Sequence, residues 1–445
     1  MSGIEDKLAG KILKIIRARR KARSVASSDR PLIPQAGIGA VKVREVQFSD
    51  FEAVQELKKR WGLSPDSMEN WDRLWRQNPA LQQPRAPSPM GWVLDTGDKI
   101  VGYLGNIVLR YFLGDQALIA ATSHGFVVEP EYRGSTTRLS AAFYRQPAVD
   151  IYLTTTAIEA VARISRAFKA DPLPQADYDT VLFWVLRPYR FAKTLIKRLG
   201  AGNTAVEIGA RLASLAIGAE GILRGRRSRR PAADLVISDI SVQEIGEQFE
   251  ALWNAKRMEG SRLLADRSAA ALRWHFTIPG DRGSVRVLCC YERRDLAGYA
   301  IVRHDPSPDG GQKSMVVDLL VTQDKPEVIA ALWHAAYEHA RKAGSDVFEV
   351  LGFPENIRHV CSAWRPYQRK YPACPFYYRA SDPGLHTRLS DGAAWYASPF
   401  DGDTSLIRPS YSSAVQVVSI QKENETSPSA AFAVVGADQP EVGKR

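Results

Sequence analysis

The residues best suited to chemistry lie in one stretch, Phe126 to Tyr144, reading FVVEPEYRGSTTRLSAAFY. An apolar strand ends at Val128, a Pro-containing turn follows, and Arg133-Gly134 opens a helix whose apolar positions include Leu139, Ala142 and Phe143. Backbone N–H groups at a helix start lack internal partners, and the helix dipole adds positive potential there. Such a turn attracts anions and suits a diphosphate. The blander alternative is that P-x-Y-R-G is an ordinary turn and helix start. A second group of chemical side chains lies farther on, where WRPYQRKYPACPFYYRA and LHTRLSDGAAWYASPFDGDTSL combine aromatic rings with Arg365, Arg369, Asp401 and Asp403. Aromatic faces beside carboxylates suit sugar recognition by stacking and paired hydrogen bonds. Asp401-Gly402-Asp403 reads more simply as a tight turn.

Two similar series of elements must position these residues. In the first, Val41 to Gln47 alternates like a strand, and SDFEAVQELKKRWG opens with the capping residues Ser49 and Asp50 and has helical periodicity. WVLDTGDKIVGYLGNIVLRY reads as a hairpin around Thr96-Gly97-Asp98, followed by the long strand ALIAATSHGFVV, a strand at Ile151 to Thr156 and a helix from about Ile158 to Phe168. The second series has a strand at Leu235 to Ser241, the helix SVQEIGEQFEALW and a hairpin around Glu292 to Asp295. The strand SMVVDLLVT, a helix at Glu327 to Ala343 and a strand at Val347 to Leu351 complete it. Gly102-Tyr103 matches Gly298-Tyr299 and Ile151 matches Val347, each 196 residues apart, while Val128 and Val321 are 193 apart. A matched series at nearly constant offset argues for duplication, and the period is too long for a solenoid. The expected division is a basic amphipathic leader and linker at 1–39, a first α/β domain at 40–200, a linker helix and Arg-rich elbow at 201–232, a second domain at 233–415 and a disordered tail at 416–445.

At the turn, the sequence resembles the GNAT acyltransferase superfamily, whose signature V-x-P-x-Y-R-G-x-G-x-G cradles the pyrophosphate of acyl-CoA. Val128, Pro130, Tyr132, Arg133 and Gly134 match, whereas Thr136 and Arg138 stand where the family has glycines. The resemblance covers most of Val41 to Trp184 and, without the motif, Leu235 to Tyr378. It implies a mixed α/β (α+β) fold of two tandem GNAT-like domains, the second degenerate. It also implies acetyl-CoA or another acyl-CoA as co-substrate, with no metal, held by Val127, Val128, Tyr132, Arg133, Gly134, Ser135, Thr136, Thr137 and Arg138. Side chains in place of glycine block a close backbone approach. Alternatively, the Thr136 and Thr137 hydroxyls and the Arg138 guanidinium add hydrogen bonds to phosphate.

The family often carries its base on the long strand before the proline; alignment on Pro130 puts His124 there, beside Ser123. An imidazole is chemically apt because it titrates near neutrality. The plain alternative is a strand histidine hydrogen-bonded in the core. The family's usual acid, a helix tyrosine, falls at Ser165, a poor substitute, so Tyr144, Tyr152 or Tyr103 must serve if any acid does. In the second domain Asp318 is a candidate base or amine-recognising carboxylate, or a hydrogen-bonded strand Asp, and Gln323-Asp324-Lys325-Pro326 replaces the phosphate turn with an acid. The function implied is an acyl-CoA-dependent N- or O-acyltransferase acting on a small polar acceptor, such as an amino sugar or a surface-polysaccharide precursor. The rival readings are an aminoacyl-tRNA-dependent transferase of the peptidoglycan-bridge type and a non-catalytic pair that senses acyl-CoA.

Charge narrows the partners. The chain has 445 residues, with 60 Lys and Arg against 49 Asp and Glu, a net charge of +11. Residues 1–30 contribute nine basic and three acidic side chains, and Ile222 to Pro231 five arginines with no acid, so the remainder is neutral. No surface for duplex nucleic acid is expected. Ile4, Leu8, Ile12 and Ile16 recur four apart between basic residues, so residues 1–23 suit the surface of an anionic membrane if helical. A solvated tail, or a helix packed on its own protein, has the same pattern. Cys289, Cys290, Cys361 and Cys374 have no zinc-ligand spacing and suggest no disulfide framework. With no apolar run of membrane-spanning length and no signal peptide, the expected location is cytoplasmic, with peripheral attachment at the inner face of the membrane.

Overall fold

The protein is described from a computed structural model over residues 41–82, 88–198, 203–226, 235–260, 262–280, 283–306, 311–370 and 376–406. The expected leader at 1–39, the expected tail at 416–445 and Arg227, Arg229 and Arg230 of the elbow lie outside the described residues. The first half runs β1 (Lys42–Glu45), α1 (Phe51–Arg60), α2 (Met68–Trp75), β2 (Gly91–Asp95), β3 (Ile100–Leu113), β4 (Gln116–Val128), α3 (Thr136–Tyr144), β5 (Ile151–Thr154), α4 (Glu159–Ala167), β6 (Asp171–Pro172) and β7 (Thr180–Val185). Two helices, α5 (Pro188–Arg198) and α6 (Asn203–Leu223), lead to the second half. There follow β8 (Val236–Ile240), α7 (Glu247–Arg257), β9 (Leu263–Ala265), α8 (Ala269–Phe276), β10 (Val285–Glu292), β11 (Asp295–Pro306), β12 (Gln312–Val321) and α9 (Pro326–Lys342). The last elements are β13 (Val347–Val350), α10 (Glu355–Ser362), β14 (Tyr367–Lys370), β15 (Tyr377–Ala380) and α11 (Pro383–Leu389).

Local signals account for most of these boundaries. The α2 helix starts where the Ser67 side chain accepts from the Asn70 N–H, and α8 where Ser268 accepts from the Ala271 N–H. The hairpins around Gly97 and Glu292 form at the turns their sequences mark. Strand alternation then sorts side chains onto two faces of the first sheet. On one face Val54, Leu57, Trp71 and Leu74 pack with Tyr103, Ile107 and Ala120. On the other, Leu139, Phe143, Tyr144 and Ala162 pack with Leu94, Leu104, Ala121 and Tyr152.

Sheet membership does not follow chain order. The first sheet has the order β1-β2-β3-β4-β5-β15-β6, with β9 also paired to β3; the second has the order β14-β7-β13-β12-β11-β10-β8. Thus β7, from the first half, lies antiparallel against β13, and β15, from the second half, lies antiparallel against β5. The two visitors are equivalent in the duplication: Val185 pairs with Val347, and Ala380 with Ile151. Each sheet is completed by a strand of the other half, so a division at 200 and 233 cuts through both. Neither half completes its sheet without a strand of the other, and we expect a single calorimetric unfolding transition for the whole chain. Two well-separated transitions would contradict this coupling.

Candidate active site

His124 sits where β4 leaves regular pairing. Tyr103 pairs with Val127 and Gly105 with His124, so β4 carries one residue more than β3 across this step. Gly125, at φ 64°, makes the distortion. Such a bulge re-aims the side chains beside it. The result is a buried imidazole between two carboxylates: Nδ1 is 3.4 Å from Asp403 Oδ2, and Nε2 is 3.9 Å from Asp66 Oδ2. The second distance is an ion-pair separation rather than a hydrogen bond.

Each carboxylate is itself held. Asp66 accepts from Lys58 Nζ at 2.6 Å and Asn70 Nδ2 at 2.9 Å, while its own N–H donates to Gln55 Oε1. Lys58 is buried with its Nζ 5.2 Å from the centroid of the Tyr103 ring. Asp403 accepts from the Thr155 hydroxyl at 2.7 Å and the Thr156 hydroxyl at 3.3 Å. Gly402, at φ 64°, lets this turn press onto Thr155: an added Cβ would lie 2.3 Å from Thr155 Cγ2.

These neighbours set the titration of the centre. Burial and the Lys58 ammonium push the His124 pKa down, but Asp403 and Asp66 outweigh them and leave it above its ordinary value. Burial opposes ionisation of Asp66, yet Lys58 and His124 hold its carboxyl well below the usual carboxylate range. Burial, and then Asp66, raise the Tyr103 pKa, so its hydroxyl stays neutral. That hydroxyl has no hydrogen-bond partner among the described residues, and neither has His124 Nε2.

The Pro130 turn is tighter than the resemblance implies. Pro130–Ser135 form a 3₁₀ helix that runs into α3, with the Tyr132 N–H bonded to the Glu129 carbonyl and the Thr136 N–H to that of Arg133. The Thr136 hydroxyl also donates to the Arg133 carbonyl, at 2.6 Å, and Arg138 Nη1 donates to the Val41 carbonyl at 2.8 Å. Two of the side chains expected to replace glycine contacts are therefore already engaged within the protein. Arg133, Gly134 and Thr137 are exposed, and a Cβ on Gly134 would meet open space. Ser135 is half-buried, Val127 buried, and Val128 and Tyr132 pack against the α3 face of the sheet.

Two expected site residues lie elsewhere. Tyr144 is on the opposite face of the sheet from His124, stacked on Phe168 at 5.0 Å; burial raises its pKa, opposed by hydrogen bonds with Ser165 and Thr154. It thus reaches Ser165 but not the imidazole centre. Asp318 faces no cleft. It is fully buried and accepts from Arg267 Nε at 3.1 Å, Arg267 Nη2 at 3.0 Å and the Tyr299 hydroxyl at 2.9 Å. Arg267 Nη2 is also 3.9 Å from Asp401 Oδ2. Asp401 accepts from the Tyr111 hydroxyl and the Ser398 N–H, and burial pushes its pKa up to about 6 against the pull of Arg267. Asp318 is consequently the counter-ion of a buried guanidinium, not a free base. Asp324 is likewise neutralised, by Lys256 at 2.6 Å and Arg262 at 2.8 Å, beside a cavity of about 520 Å³ in the second half.

Lys58 and Asp66 escaped the sequence reading. The usable signal was a lysine on the buried stripe of α1, in line with Phe51, Val54 and Leu57. Asp403 belongs to the tight turn that its sequence marks; its burial against His124, 279 residues away in sequence, has no local signal.

No protein-family model and no curated protein matches the sequence. Among solved structures the chain is similar to a conserved protein of unknown function from Enterococcus faecalis V583 described as a probable N-acyltransferase, at 9% identity over 79% of this chain and 74% of that one, with a TM-score of 0.51. Other similar structures are a GCN5-related N-acetyltransferase from Anabaena variabilis ATCC 29413 (12% identity, 77% and 73% covered, TM-score 0.49) and Saccharomyces cerevisiae N-myristoyltransferase with bound myristoyl-CoA and inhibitors (14%, 79% and 83%, 0.46). At these identities the likeness is one of fold, and the fold is the GNAT fold that the strand order implied.

The Asp318 assignment is open to a stability measurement. Asp318→Ala leaves the fully buried Arg267 without its principal counter-ion and should cost roughly 3–5 kcal/mol in chemical denaturation. Stability within about 1 kcal/mol of wild type would argue against this structural role.

Proposed function

We propose that the chain is an acyl-CoA-dependent N- or O-acyltransferase acting on a small polar acceptor, with an amino sugar the first acceptor to test. The observation that carries this reading is His124, held between Asp403 and Asp66 just past the point where the parallel pairing of β4 and β5 ends, at Thr122 opposite Leu153. An oxyanion needs donors such as backbone N–H groups beyond the end of that ladder.

The chemistry follows from the hydrogen bonds. With Nδ1–H directed to Asp403, Nε2 carries the free lone pair. The acceptor's nitrogen or hydroxyl oxygen attacks the thioester carbonyl carbon, and Nε2 takes the proton released. The C–S bond then breaks and coenzyme A departs as a thiolate, a leaving group that needs no strong acid. Asp403 steadies the imidazolium, as the third member of a catalytic triad does. Tyr103 is a neutral O–H donor at the same centre, and replaces Tyr144 in that role. The exposed Arg133-Gly134 pair, in the 3₁₀ turn that leads into α3, is the proposed contact for the coenzyme's phosphates.

A pH profile tests the base. kcat/KM on an amino-sugar acceptor should rise with pH through an apparent pKa above the ordinary histidine value of about 6.5. His124→Asn should lower kcat by roughly 10²–10⁴-fold. In Asp403→Asn, removal of a group that raises the imidazole pKa should shift the rising limb to lower pH. An unmoved limb, or unchanged turnover in His124→Asn, would sink the assignment.

Calorimetry tests the coenzyme. Wild type should bind acetyl-CoA or a longer acyl-CoA saturably, and Arg133→Glu should weaken it roughly tenfold or more. Absence of saturable binding would remove this reading altogether. Binding without turnover on any acceptor would favour the second reading, a non-catalytic acyl-CoA sensor, which Ser165 in the place of the family's acid tyrosine supports.

A further inference from the structure

The helices joining the two halves carry their apolar residues on the wrong side for a soluble hairpin. α5 and α6 pack on each other, with Ala192, Val206 and Ala210 buried and Gly209 close to Ile196. Glu207 ties the two together through Lys193 at 2.9 Å and the Tyr189 hydroxyl. On the outer side of α6, Ile208, Leu212, Leu215, Ile222 and Leu223 remain exposed, Leu212 at 65%, Leu215 at 71% and Leu223 at 85%. Positions 208, 212, 215, 219 and 222 follow one another by four or three residues, with an exposed alanine at 219, and so form one stripe about 20 Å long. Scattered exposed leucines need no explanation, but a continuous aliphatic stripe on one helix marks an interaction surface.

The charge around the stripe selects its occupant. From Arg187 to Arg226 the sequence holds eight Lys and Arg against two acids, Glu207 and Glu220. Both acids already have cationic partners, Glu220 with Arg226 at 2.9 Å and Arg224 at 3.1 Å. A second copy of the hairpin would bring the same excess of cations and repel. The leader at 1–23 has eight basic and two acidic residues and would repel as well. An aliphatic face on a hairpin of net positive charge is complementary to a layer of acyl chains under anionic headgroups. No helix of the described residues is long and apolar enough to cross a membrane, so the helix lies in the interface plane.

We propose that the outer aliphatic stripe of α6, carried on a hairpin of net positive charge, docks the protein onto an anionic lipid bilayer. The site is distinct from the leader and owes nothing to the acyl-transfer reading. It is tested by co-sedimentation of the full chain with vesicles of phosphatidylcholine alone and of phosphatidylcholine with phosphatidylglycerol. The expected result is binding to the anionic vesicles only, weakened by salt. Leu212→Glu with Leu215→Glu changes two exposed side chains, so the thermal melt should match wild type while vesicle binding falls roughly tenfold or more. Deletion of 1–23 should leave most of the binding in place. Binding that survives the double substitution, binding abolished by the leader deletion, or equal binding to neutral vesicles would each overturn the proposal. So would concentration-dependent self-association of wild type, relieved by the substitutions, in the absence of vesicle binding.

Discussion

A guanidinium does not give up its charge when it is buried, so a fully buried Arg267 must be surrounded by groups that compensate it. Asp318 supplies the bidentate partner, Asp401 a second carboxylate, and Ser398 and the Ala265 carbonyl complete the donors' needs. Burial works against the charge, but these carboxylates hold the Arg267 pKa well above its ordinary value. This single requirement draws the segment from Ser398 to Asp403 into the interior. Because Asp403 lies two residues beyond Asp401, the same turn that satisfies Arg267 brings a carboxylate to His124. The proposed chemistry of the first half thus depends on an ion pair of the second.

The duplication makes the contrast between halves readable. Helices α2 and α8 begin 201 residues apart, which aligns Asp66 with Arg267. Tyr103 and Tyr299 correspond at 196, and each lies beside a bulged long strand. Around equivalent tyrosines, one half places an acid next to a histidine and a lysine, and the other an arginine next to two aspartates. The first arrangement leaves an imidazole nitrogen without a hydrogen bond among the described residues; the second closes into a fully bonded salt bridge. A common scaffold has given one reactive centre and one structural clamp. The exchange of β7 and β15 then joins the two mechanically, since each sheet includes a strand from the other half.

Some of this was legible without coordinates. Both hairpins, the long strands and helices α4 and α9 fall within a residue or two of where periodicity and turn residues placed them, because those signals act over a few neighbouring residues. The nearly constant offsets point to two related halves for the same reason. Side-chain commitments were not legible. Thr136 and Arg138 have the chemistry to bind phosphate, but whether they face a ligand or a carbonyl of their own chain is decided by the 3₁₀ geometry of the turn. Asp318 has the chemistry of a base, but its role is set by an arginine 51 residues earlier.

By itself, then, the sequence determined the order and type of the elements, the duplication and the position of a histidine on the long strand, all of them consequences of local periodicity and sterics. Only the tertiary structure decided which strands complete which sheet, that Lys58, Asp66 and Asp403 surround His124, that Tyr103 rather than Tyr144 shares its face, and that α6 turns its leucines outward. Those outcomes are settled by burial and charge compensation between residues hundreds of positions apart. A chain read in one dimension carries no record of such distances.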